Sequence, residues 1–122
     1  MKLDSKSTLG ILLITISILT LIPFIGLTDF HTKGEPREAI VAVSMLDSGN
    51  WILPENNGGD MAYKPPMFHW AIAVTSFLAG EVTEFTSRFP SALSAIIIAL
   101  FTFLFYAKRT NNNLAFLTSL LF

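Results

Sequence analysis

GILLITISILTLIPFIGL, residues 10–27, decides the fold, because eighteen consecutive residues pass without a charge. A second run of the same length, PSALSAIIIALFTFLFYA, occupies residues 90–107. At 1.5 Å of rise per residue, each covers about 27 Å as a helix, close to the ~30 Å hydrocarbon core of a bilayer. The composition agrees. Apolar residues make up 52% of the 122 and charged residues 14%, against about 25% charged in an ordinary soluble domain. Eleven of the aromatic residues are Phe, which suits a lipid-facing surface. A buried helix of a soluble protein is a poor account of the second run, since the chain has no soluble remainder to cover it. A secretory signal is the alternative for the first, with Lys2 and Lys6 as its basic start. Its apolar run exceeds the usual ~7–15 residues, however, and no small-x-small cleavage site follows it. The expected fold class is all-α, with multi-pass membrane helices at 10–27 and 90–107. LAFLTSLLF, 114–122, is too short to cross as a helix. It reads as the start of a third span, which would make the chain an N-terminal fragment.

The formal net charge of −1 gives no reason to expect a nucleic-acid partner, and the absence of Cys excludes disulfides and thiolate metal sites. Charge distribution is more informative. Lys2 and Lys6 precede the first apolar run, and Lys108 and Arg109 follow the second. Residues 28–89 carry four basic side chains (Lys33, Arg37, Lys64, Arg88) against eight acidic ones. The positive-inside rule then puts the N-terminus in the cytoplasm and the 28–89 loop outside, in the periplasm of a bacterial inner membrane.

A loop this long carries either structure or function. Pro36 suits the first position of a helix, with Glu35 as its cap and Glu38 in the acid-favouring first turn. Ala39, Ala42, Val43 and Leu46 then recur at helical spacing as one apolar face. Ser48-Gly49-Asn50 supplies a left-handed stop. A loop follows over 51–64 with the turn cluster Asn56-Asn57-Gly58-Gly59-Asp60. Pro65-Pro66 opens a second helix over 67–79, stopped by Gly80. It is too short to span, and Phe68, Trp70 and Phe77 suit a helix lying at the membrane interface.

Polar chemistry concentrates in His31-Thr32-Lys33-Gly34-Glu35-Pro36-Arg37-Glu38 and in Tyr63-Lys64-Pro65-Pro66. A helix N-terminus flanked by Lys33 and Arg37 is a candidate anion site, with Glu35 as a carboxylate at the same place. The bland alternative is helix-start decoration on a solvated loop, although Glu is not a favoured cap. Lys64, stiffened by the prolines after it, suits a lipid phosphate or else snorkels at the surface. His31 and His69 lack ligand spacing, so no metal or other cofactor is expected from these residues.

The ordered strings are more specific than any single residue. GEPREAIVAVSMLDSGNWILPENNGGDMAYKPPMFHWAIAVTSFLAG, followed by EFTSRFPSALSA, resembles the first outward loop of GT-C type membrane glycosyltransferases. Bacterial relatives of the aminoarabinose transferase and of the protein O-mannosyltransferases are the nearest in pattern. The resemblance covers residues 33–95. It rests on an acidic pair with Arg two residues after the second acid, Met-Leu-x-Ser-Gly, W-[IL]-x-P, KPP with a following Trp, and R-[FL]-P-S-A. It implies transfer of a sugar from a polyprenyl-phosphate donor to a lipid, glycan or protein acceptor outside the cytoplasm. Glu35 would be the catalytic acid, and Lys64 and Arg37 would contact the donor phosphate. Gly34 stands where the family has the first acid. Either Glu35 has taken over, Asp29 reaches in, or the chain is not catalytic in the usual way. Tyr63 stands where the aminoarabinose transferase has an acid that helps hold a metal, so no metal site is carried over. Two other classes stay open. One is a non-catalytic polyprenyl-phosphate-binding relative, and the other a structural or transport subunit, although neither apolar run holds the charges that transport favours.

Overall fold

The computed structural model describes residues 5–56, 59–62 and 64–121. Lys2, the turn residues Asn57 and Gly58, Tyr63 and Phe122 lie outside the described residues. Among the described residues five α-helices follow in order: α1 (Lys6–Leu21, continued by a 3₁₀ turn over Ile22–Phe24), α2 (Gly34–Ser48), α3 (Met67–Ala79), α4 (Glu84–Tyr106) and α5 (Asn112–Leu121). Among the described residues there is no strand, only an isolated bridge between Glu55 and Met61. The fold is all-α. Two helical stretches, Lys6–Phe24 and Glu84–Tyr106, are long and apolar enough to cross a membrane. Only 11% and 17% of their apolar windows are buried, which is not how the core helix of a soluble domain behaves.

The chain divides into two compact units, one of Met1–Pro23 with Ser91–Phe122 and one of Phe24–Pro90. In the first, Leu9 and Leu13 of α1 pack with Phe103 and with Ala115 of α5. Gly10 gives Phe103 room, since an added Cβ would lie 3.4 Å from the ring. The helix over Asn112–Leu121 falls where the third apolar run was expected.

The second unit holds α2 and α3 side by side. Their buried residues follow the same helical stripe: Glu38, Val41, Ala42 and Met45 on α2, and His69, Ile72, Ala73 and Ser76 on α3. The α2 stripe differs from the one expected. Ala39 and Ala42 are buried as anticipated, but Val43 is 40% exposed, and Val41 and Met45 take the core positions. The docking of Ile72 and Ala73 fixes that rotation; the apolar pattern of α2 alone does not. Both helices stop where expected, at Gly49 (φ 70°) and Gly80 (φ 92°), left-handed positions that cost Gly little.

Two helix starts differ from expectation. Pro36 is the third residue of α2 rather than the first, and Lys33 takes the cap position without a side-chain bond. Helix α4 begins six residues before Pro90. Thr83 and Thr86 exchange hydrogen bonds there, Thr86 N–H to Thr83 Oγ1 (3.2 Å) and Thr83 N–H to Thr86 Oγ1 (2.8 Å), in the manner of a capping box. An interior proline strands the carbonyl four residues back, which is that of Thr86. The Thr75 hydroxyl lies 2.9 Å from that oxygen. It has other carbonyls of its own helix in reach, but those already receive helical N–H groups, so its single proton is best used on Thr86.

Trp70 also differs from a simple interfacial anchor. Its indole N–H donates to the Trp51 carbonyl at 2.7 Å, tying the loop to α3. Phe77 remains 72% exposed.

Candidate functional site

Glu35 and Glu38 sit one turn apart on α2 and enter different networks. Glu35 accepts the backbone N–H of His31 at 3.1 Å, and its own N–H donates to Thr32 Oγ1 at 3.4 Å. This is a capping box displaced by one residue. Arg88, in the first turns of α4, grips the same carboxylate with both edges of its fork, Nε to Oε1 at 3.1 Å and Nη2 to Oε2 at 3.2 Å. Its other N–H groups donate to the carbonyls of Ile25 (2.7 Å), Thr28 (2.8 Å) and Asp29 (3.0 Å). All five guanidinium donors are therefore engaged, and the Phe30 ring lies 5.5 Å from Cζ. The Arg88 hydrogen bond is the main cause that holds the Glu35 carboxyl below its ordinary value. Burial opposes it, while the His31 N–H and the Arg88 charge reinforce it.

Glu38 is buried, at 8% exposure. Lys64 Nζ donates to its Oε1, and His69 Nε2 lies 2.5 Å from Oε2. The Lys64 side chain is 61% exposed, whereas that of His69 is 3% exposed. Arg37, Glu38, Lys64 and His69 line one crevice of about 10 Å³, which admits roughly one water molecule. Among the described residues Arg37 makes no ion pair.

The two expected phosphate contacts, Lys64 and Arg37, are thus brought to one crevice, and Glu35 is not part of it. Asp29 enters the Arg88 network through its carbonyl oxygen. Gly34 is open, since an added Cβ would meet only Thr32 Oγ1 at 3.8 Å. Sequence reasoning missed the roles of Arg88, Glu38 and His69. A signal existed for Glu38: it heads the stripe 38, 41, 42, 45, an acid at a buried position. His69 heads the matching stripe on α3. Among the described residues no group of three His, Asp or Glu side chains is placed to hold a metal, and Tyr63 lies outside them.

No protein-family model and no solved structure matches the chain. Curated relatives do. The undecaprenyl phosphate-α-4-amino-4-deoxy-L-arabinose arabinosyl transferase of Shewanella sediminis is 35% identical over 93% of this chain and 21% of its own length. The transferase of the same name from Pseudomonas savastanoi is 32% identical over the same shares. An uncharacterized protein of Aquifex aeolicus is 30% identical over 90% of this chain and 27% of its own length. The chain spans about a fifth of the length of the arabinosyl transferases it matches. Over the stretch it covers, this all-α membrane chain is related to the GT-C type glycosyltransferases that include the undecaprenyl phosphate-aminoarabinose arabinosyl transferases.

Proposed function

We propose that the full-length protein transfers a sugar from a polyprenyl-phosphate donor to a lipid, glycan or protein acceptor on the outer face of the membrane. Lys64 and Arg37 take the donor phosphate, and Glu35 takes the proton of the acceptor. The observation that carries this reading is the pair of cations lining one crevice, with the Lys64 side chain 61% exposed. In the reaction the acceptor oxygen bonds to the anomeric carbon and the bond from that carbon to the phosphate oxygen breaks. The phosphate leaves with the electron pair, and the acceptor's proton goes to a carboxylate. Charge grows on the departing phosphate, so fixed cations stabilise the transition state more than the ground state. Glu35 is kept ionised at neutral pH by Arg88, as a proton acceptor must be.

A second reading keeps the phosphate site without the chemistry. It is favoured by the absence of an acid at Gly34 and by the commitment of Glu35 to Arg88. Turnover of a lipid-linked sugar by the purified full-length protein separates the two. With Glu35 as the base, Glu35→Gln lowers the rate about 10²–10⁴-fold while expression and insertion hold. A fall of less than about tenfold removes Glu35 as the base and leaves it as a clasp. For orientation, a cysteine placed at the exposed Asp60 should react with an impermeant reagent in intact cells. Labelling only after permeabilisation would reverse the topology.

A further inference from the structure

We propose that Glu38, anchored by His69, is the positioning residue that fixes the Lys64 ammonium at the mouth of the crevice. The proposal rests on the reading of Lys64 as the donor-phosphate contact and adds the device that aims its charge.

A lysine ammonium is a point charge on a flexible stem, and holding it still costs side-chain entropy. The prolines after Lys64 stiffen its backbone but not its side chain. Glu38 supplies what the backbone cannot. A buried carboxylate is costly unless paired, and here each oxygen has its own partner, Lys64 on Oε1 and His69 on Oε2. The His69 contact requires the proton on Nε2 if the carboxylate is to be the acceptor. Nδ1 is buried and has no partner among the described residues, so the neutral tautomer leaves a lone pair there rather than a stranded N–H. Among the described residues, only Glu38 takes one of the three N–H groups of Lys64. The other two are left for an anion beside Arg37, where the side chain opens outward.

The placement of the pair supports a purpose. Glu38 and His69 head the matching stripes by which α2 and α3 pack, positions where two apolar residues would carry no desolvation cost. The helices fix Glu38, and Glu38 fixes Lys64, so the ammonium takes its position from the core of the unit.

The test uses the full-length protein in nonionic detergent, with lysines carrying 13C-dimethyl labels and Lys64 assigned by Lys64→Arg. Affinity for undecaprenyl phosphate is measured alongside. Glu38→Gln should move the Lys64 signal to the position of a free surface lysine and weaken binding about tenfold, the scale of one charge-assisted hydrogen bond. Combining it with Lys64→Ala should weaken binding no further than Lys64→Ala alone, because both remove the same aimed charge. His69→Gln, whose amide can still donate to Glu38, should keep the signal, and His69→Leu should lose it. If Glu38→Gln does not fold, Glu38→Asp reads the same signal with a carboxylate one methylene shorter. An unmoved Lys64 signal, or additive losses in the double variant, overturns the proposal. A moved signal with Lys64→Ala binding like wild type upholds the positioning and instead overturns the phosphate reading.

Discussion

The Glu35–Arg88 clasp and the Glu38–Lys64–His69 group belong to the same compact unit and share one helix, yet they differ in what they leave unused. Arg88 spends all five donors on a carboxylate and three carbonyls, and nothing remains for a ligand. Among the described residues Lys64 spends one, and its side chain stands 61% exposed. A cation whose donors are filled by the protein holds the fold, and one with donors to spare is available to bind. By that criterion charge alone does not mark a phosphate site; unspent valence does.

Four perturbations break or sharpen this contrast. The largest effect should come from Arg88→Ala. Removing one partner of a fully buried pair costs about 3–5 kcal/mol, and the partial exposure here (17% and 35% for the side chains) reduces this to about 2–3 kcal/mol of stability. Arg88→Lys should restore little, because an ammonium cannot reproduce the fork. Thermal unfolding of the full-length protein in detergent checks both. Next, Lys64→Ala should raise the donor KM about tenfold, with the acceptor KM unmoved, and destabilise less than Arg88→Ala, because the Glu38 carboxylate it leaves behind keeps His69. Equal effects on both substrates would erase the distinction between clasp and site. Third, Gly34→Asp restores the acid that the family carries, in space that is open to a side chain. With Glu35 as the working base, the rate should change by less than about threefold, a small fraction of what a lost base costs. A large gain would mean that the chain lacks its base.

The smallest effect is in pH. The Glu35 carboxyl is held below its ordinary value of 4.5, so its folded form binds protons less readily than its unfolded form. The contribution is full above that ordinary value and is lost as pH falls through the lowered folded value. Wild type should therefore lose stability relative to Glu35→Gln only below about pH 4.5, a curve followed by thermal unfolding at stepped acidity.

Much of this architecture is legible in the sequence because it depends on neighbours along the chain. The two charge-free runs, the stops at Gly49 and Gly80, and the helix over residues 67–79 follow from local composition and from glycine's access to left-handed backbone. Helix α4 was harder. Pro90 reads as a beginning, and only the reciprocal bonds of Thr83 and Thr86 carry the helix in front of it. The face of α2 was misplaced by about one residue, since Val41 and Val43 are equally apolar and only the docked α3 chooses between them. At the site, the resemblance selected Lys64 and Arg37, which the fold brings to one crevice. It gave no partner for Lys64 or for Glu35. The partners lie 26 residues from Lys64 at Glu38 and 53 residues from Glu35 at Arg88, separations at which no periodicity in the chain carries information.

Thr75 and Pro90 show what such a distant partnership implies for inheritance. The proline leaves the Thr86 carbonyl without its helical donor, and the Thr75 hydroxyl stands in. The two positions are therefore not free to vary singly. A descendant that loses the threonine keeps a stranded acceptor, while one that loses the proline regains the N–H and no longer needs the threonine. Selection should see them as one locus split in two: among relatives, apolar residues at the first position should be found mainly where the second has ceased to be proline.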